Sequence, residues 1–127
     1  MSISAPIYSV THYKKEGVLR LTWLPGTKNI NDEDFRDALW VFADSATRHR
    51  SHRLIIDMRE FFGRPSDKIL AWRDEVIVPM YFEAGVKKIA WIWPGQTENM
   101  ITTGEKGSYE NQYFETEDKA IAWLIDR

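Results

Sequence analysis

The chain has no cysteine, which excludes disulfides, thiolate metal sites and cysteine nucleophiles, and fits a reducing cytoplasm. No apolar run approaches the roughly 20 residues needed to cross a bilayer. Residues 1–15 lack the basic start and apolar stretch of a signal peptide, so the reading is a soluble, cytoplasmic protein without stable membrane insertion. Positive charge is not in excess either. With 17 Lys and Arg against 19 Asp and Glu, the formal net charge is −2, and no broad footprint for a phosphate backbone is expected, which sets nucleic acid aside as a partner. There is no internal repeat or low-complexity tract. Aromatic residues, by contrast, are plentiful. Six Trp, five Tyr and six Phe stand among 127 residues that are 43% hydrophobic, enough for a single domain over residues 1–127 with a core of its own. Some of those rings are then available to line a pocket or an interface.

Ile7–Tyr13 and Gly17–Trp23 are two β-rich runs joined by Lys14-Lys15-Glu16-Gly17, a connection typical of a hairpin. Pro25-Gly26 stops the second run, and Asn31 or Asp32 can cap a helix with Asp32, Glu33 and Asp34 in its first turn, at the positive end of the helix dipole. Its apolar stripe is Phe35, Ala38, Leu39, Phe42, Ala43 and Ala46, and the pattern runs to about His49. Trp40 and Val41 fall off the stripe, at a boundary or exposed to a partner. Leu54, Ile55 and Ile56, closed by Asp57, form a strand covered on both faces. A helix from Ser66, its N-cap, to about Ala84 carries Ile69, Trp72, Val76, Ile77 and Met80 on one face, with Gly85 ending it and Pro79 kinking or splitting it near Val78. Lys87–Trp93 is a further central strand. Gln96–Asn111 is polar, with a weak helical turn at Met100 and Ile101, and is expected to be the most mobile part. Gln112–Glu115 forms a short edge strand, and Thr116 caps a last helix docked by Ala120, Ile121, Trp123 and Leu124. The order β-β-α-β-α-β-β-α implies an α/β fold with a mixed sheet, antiparallel at its start and otherwise parallel.

No motif fixes a reaction. Asp44, His49 and His52 could be imagined around a metal, but Arg48, His49, Arg50, His52 and Arg53 read better as solvated cations at a helix C-terminus, or as a patch for a phosphate or acidic partner. Gly104–Ser108 lacks phosphate-loop spacing. Asp57 with Glu60, and Asp74 with Glu75, have no paired nucleophile and read as solvated or capping carboxylates. No cofactor is called for, and the chain is expected not to be an enzyme. Two features survive. Arg59, Phe61, Phe62, Gly63 and Arg64 set two aromatics between two guanidinium groups on the loop after a strand, a place where exposed rings contact a protein partner or a second copy. One of the two phenylalanines is expected to tuck over the sheet end. Trp72, Arg73, Trp91 and Trp93 could line a pocket for a small apolar or amphipathic ligand, although core packing explains them as well. Arg73 lies mid-face, between Ile69 and Ile77, and reads as a stem along apolar surface with its guanidinium in water, the alternative being an anion ligand under the sheet.

The segment Leu54–Pro65, the helix bearing Trp72, the strand Lys87–Trp93 and the closing pattern of Phe114, Thr116, Ala120, Ala122, Trp123 and Leu124 together resemble the SpoIIAA-like group of STAS proteins, which are also described as similar to the CRAL-TRIO lipid carriers. The resemblance implies a small domain with helices mainly on one side of a mixed sheet, often dimeric and usually without catalytic assignment. It also implies a phosphoacceptor serine at the helix N-terminus after the strand, for which Ser66 is the counterpart. The Asp-Ser-Ser-Gly type signature is absent and the loop to Pro65 is longer. The expected function is thus a non-enzymatic regulatory or protein-interaction module, the alternative being a carrier or sensor of a lipid-like ligand.

Overall fold

A computed structural model describes residues 6–93 and 109–126. Strand β1 (Tyr8–Tyr13) pairs antiparallel with β2 (Val18–Trp23). Strands β3 (Arg53–Asp57), β4 (Lys88–Ile92) and β5 (Glu110–Phe114) then add in parallel, so that the order in the sheet is the order in the chain. Right-handed crossovers between successive neighbours fall on one face. Helix α1 (Asp32–His49) and the pair α2 (Asp67–Trp72) and α3 (Val78–Ala84) accordingly share the face that carries Leu19, Leu21, Trp23, Leu54, Ile56, Ile89 and Trp91. Helix α4 (Glu117–Ile125) covers the other, packing Ala120 and Leu124 on Val18, Ile55, Ala90 and Ile92. Strands β3 and β4 are buried on both faces, which is why they read as unbroken apolar runs.

The expected caps are present. Asn31 accepts from the Asp34 N–H at 2.8 Å, Ser66 from Ile69 and Thr116 from Lys119, and all six residues of the α1 stripe are buried. Gly85, at φ 82°, ends α3 in the left-handed conformation. Helix α4 has no such glycine; Arg53 Nε donates to the Leu124 carbonyl at 2.8 Å, and Lys88 Nζ to those of Trp123 at 2.8 Å and Asp126 at 3.1 Å. Cations from two strands thus satisfy the carbonyls that a helix C-terminus leaves open.

The helix from Ser66 is split just before Val78, as expected of Pro79; three other expectations need correction, the first being the face it buries. A π-turn over Arg73–Ile77 separates α2 from α3, with the Val78 N–H reaching the Arg73 carbonyl. Pro79 offers no N–H and its ring crowds the preceding turn, and the widened turn carries the chain past it. The buried line is Ile69, Arg73, Ile77, Tyr81 and Ala84, while Trp72, Val76 and Met80 are only half-buried. Second, the Arg73 guanidinium is largely withdrawn from water. The residue is 6% exposed, and Nε donates to Asp74 Oδ1 at 3.2 Å, so the adjacent carboxylate supplies the charge that solvent was expected to screen. Third, β5 begins at Glu110 rather than Gln112, because its parallel register with β4 starts at Lys88. The turn at Met100 and Ile101 and the mobility expected of that stretch fall mostly outside the described residues.

Candidate functional site

The loop after β3 is built on two anchors. The first is Asp57, expected to be solvated or a simple cap and found 3% exposed. It accepts from the Arg59 backbone N–H at 3.0 Å and from the Arg59 guanidinium through both oxygens, at 3.0 and 2.7 Å. It also pairs with Arg20 from β2, which in turn pairs with Glu117 of α4. Burial alone would raise the Asp57 carboxyl, but the hydrogen bonds from Arg59 and the charges of Arg59 and Arg20 outweigh it and hold the group below the usual carboxylate range. The network ties the loop base to β2 and α4 and pairs each carboxylate with a guanidinium group.

The second anchor is Thr27, fully buried in the 3₁₀ turn Pro25–Asn29. Its hydroxyl accepts from the Phe62 N–H at 2.9 Å and shares its proton between the carbonyls of Leu24, 2.9 Å, and Glu60, 3.0 Å. Gly63 lets the loop press this close, since a Cβ there would stand 2.4 Å from Ile30 Cγ2 and 2.9 Å from the Thr27 carbonyl oxygen. The two phenylalanines divide as expected. Phe61 tucks over the sheet end, 5.0 Å edge-on from Trp23 and 6.0 Å from Phe35 by ring centroid. Phe62 is 52% exposed on a backbone that cannot easily move, and Arg64 beside it is exposed as well. Beyond them, Ser66 Oγ donates to Asp32 Oδ2 at 2.6 Å while capping α2, joining the starts of α1 and α2. A phosphate on that oxygen would stand against the Asp32 carboxylate and break the tie.

A profile of SpoIIAA-like proteins matches residues 23–125, from the end of β2 to the last residue of α4. The chain belongs to the SpoIIAA-like family. No curated protein gives a significant match, and neither does any solved structure. The further likeness to CRAL-TRIO carriers is not carried by these comparisons.

Among the described residues of this SpoIIAA-like chain, the space between the sheet and α1–α3 is a cavity of about 10 Å³, lined by Trp23, Leu39, Met58, Arg73, Tyr81 and Trp91 among others. That is room for about one water, against several hundred Å³ for a typical ligand pocket. Of the four residues expected to line a pocket, Arg73 and Trp91 do so, with the Trp91 indole N–H donating to Asn111 Oδ1 at 3.0 Å. Trp72 and Trp93 pack half-buried against the same core. Tyr81 is buried there, and its phenol is pushed up by burial and by Tyr109, with the Arg73 charge opposing. Sequence reasoning missed Thr27 and the Arg20–Glu117 pair. Arg20 could have been found as a charge inside an apolar strand, facing Asp57 one strand away; Thr27 left no signal at all.

Proposed function

We propose that this SpoIIAA-like chain is a non-enzymatic regulatory module of the cytoplasm that docks a protein partner through the loop 59–64. Phe62 would enter an apolar pocket on the partner, and Arg64 would meet a carboxylate at its rim. The observation that carries the reading is an aromatic ring more than half exposed on a backbone pinned from below by Thr27 and Gly63. Such a ring is already ordered before it binds, so little conformational entropy is lost on docking, and buried aromatics and arginines are the residue types that dominate interface energies. Family membership supports the regulatory part.

A photo-crosslinking residue in place of Phe62 would capture the partner, and binding would then be measured with purified proteins. Phe62→Ala and Arg64→Ala, both at exposed positions, should each weaken binding by about tenfold or more while the fold is kept. Undiminished binding by both variants would overturn the proposal.

A further inference from the structure

A different surface points to a second copy of this chain. Strand β1 forms one edge of the sheet. The Leu24 N–H bonds to the Ile7 carbonyl at 3.0 Å, and the antiparallel register runs unbroken from Tyr8 opposite Trp23 to Tyr13 opposite Val18. Hydrogen-bonded pairs alternate along such a ladder, so Ser9, Thr11 and Tyr13 bond inward to β2. Tyr8, Val10 and His12 turn their N–H and C=O groups to the open side, where no described strand pairs with them.

Edge strands of this kind normally carry a lysine, a proline or a bulge that discourages pairing. Tyr8-Ser9-Val10-Thr11-His12-Tyr13 has no Lys, Arg, Asp, Glu, Pro or Gly, and its register shows no bulge. Pro6, which has no N–H, limits the outward run on one side and the hairpin turn limits it on the other.

We propose that this edge pairs antiparallel with the same edge of a second copy, with the twofold axis at Val10. That register sets Val10 against its own counterpart and Tyr8 against His12 of the other copy, twice, so every outward N–H and C=O finds a partner. A shift of two residues either way leaves one of the three residues on each strand unpaired. On the opposite face, Ser9 meets Thr11 of the other copy, two small hydroxyl-bearing side chains at the close, non-hydrogen-bonded spacing. The contact is isologous, each pair of facing residues occurring twice, so the absence of a charge at Ser9, Val10 and Thr11 removes like-charge repulsion across the axis. The inference is independent of the loop 59–64, which contributes nothing to this edge. Strand pairing alone buries less surface than a permanent dimer does, so the association is reversible and concentration-dependent.

Sedimentation velocity over a wide concentration series tests this with two double variants at exposed positions. Ser9→Lys/Thr11→Lys brings like charges face to face twice across the axis, whereas Ser9→Lys/Thr11→Glu brings opposite charges together in the same places. The first should dimerise about tenfold or more weakly than the second, the second at least as well as wild type, with unchanged circular dichroism for both. A wild-type chain monomeric at every concentration would overturn the proposal. So would equal dimerisation of the two variants, or a dimer lost on Phe62→Ala and indifferent to both, which would assign the contact to the loop instead.

Discussion

Replacing Thr27 by valine removes one hydroxyl and keeps the side chain's shape, so it isolates what holds the loop down. The change leaves the Phe62 N–H and the Glu60 carbonyl without their partner, while the Leu24 carbonyl keeps the Thr27 N–H at 3.0 Å. A buried donor stranded in this way costs about 1–3 kcal/mol. The loop can regain water only by lifting, and lifting pulls Phe61 away from Trp23 and Phe35, which costs about 1.5–3 kcal/mol of aromatic burial. Neither escape is cheaper than the other, and the expected loss is about 2 kcal/mol in urea denaturation. Exchange of the Phe62 amide should then quicken by about 30-fold, at 1.4 kcal/mol per factor of ten. Gly63→Ala attacks the same docking through the clash with Ile30 and the Thr27 carbonyl, at about 1–3 kcal/mol. The double variant should fall short of the sum, because the same contact is lost only once. A Thr27→Val protein within about 0.5 kcal/mol of wild type, with the Phe62 amide as protected as before, would refute the reasoning.

Asp57→Asn should cost about 1–3 kcal/mol near neutral pH, since it takes the charged partner from the half-exposed Arg59 and leaves the largely buried Arg20 with Glu117 alone. The folded carboxyl lies below its ordinary value, so its contribution is whole above the unfolded carboxylate pKa of about 4 and is lost as acid carries the pH down through the folded value; acid titration of stability should be flatter in the variant. His12 is held below its usual pKa by burial, by the His49 ring stacked at 4.1 Å and by Lys14. The stability it supports is therefore complete above about 6.5 and falls as the pH drops through the folded value, and an NMR titration should find His12 moved back up by His49→Ala. Arg50 ends α1 at φ 50°, so Arg50→Gly should stabilise the chain by about 0.5–1 kcal/mol in thermal or urea unfolding.

Much of the fold was legible because it rests on local chemistry. The α1 stripe, the Asn31, Ser66 and Thr116 caps and the apolar runs of β3 and β4 are each carried by residues a few positions apart, whose spacing alone states their environment. Pro79 was legible as a disturbance, but the backbone's answer to it was a widened turn beginning six residues earlier at Arg73, and which turn absorbs the strain depends on packing against the sheet. Arg73 was placed on the right face and given the wrong surroundings, because its solvation depends on where Asp74 can reach. The site was legible only in outline. Exposed and buried phenylalanines could be told apart as a pair but not one by one, and the hydroxyl of Thr27, 33 residues from Glu60 in the chain, is meaningful only after folding.

A sheet whose spatial order repeats the chain order has a consequence for how it is made. Each strand from β2 to β5 finds its partner in the strand formed just before it, so the search is short and no strand waits for a distant one to complete a gap. During synthesis the sheet can grow by accretion, each new strand closing the edge its predecessor left open. One exposed moment comes after β4 has docked and before β5 arrives, when Ile89, Ala90, Trp91 and Ile92 line a bare edge. In such an interval an unpaired apolar edge makes the nascent chain prone to pair with a neighbour or to need a chaperone.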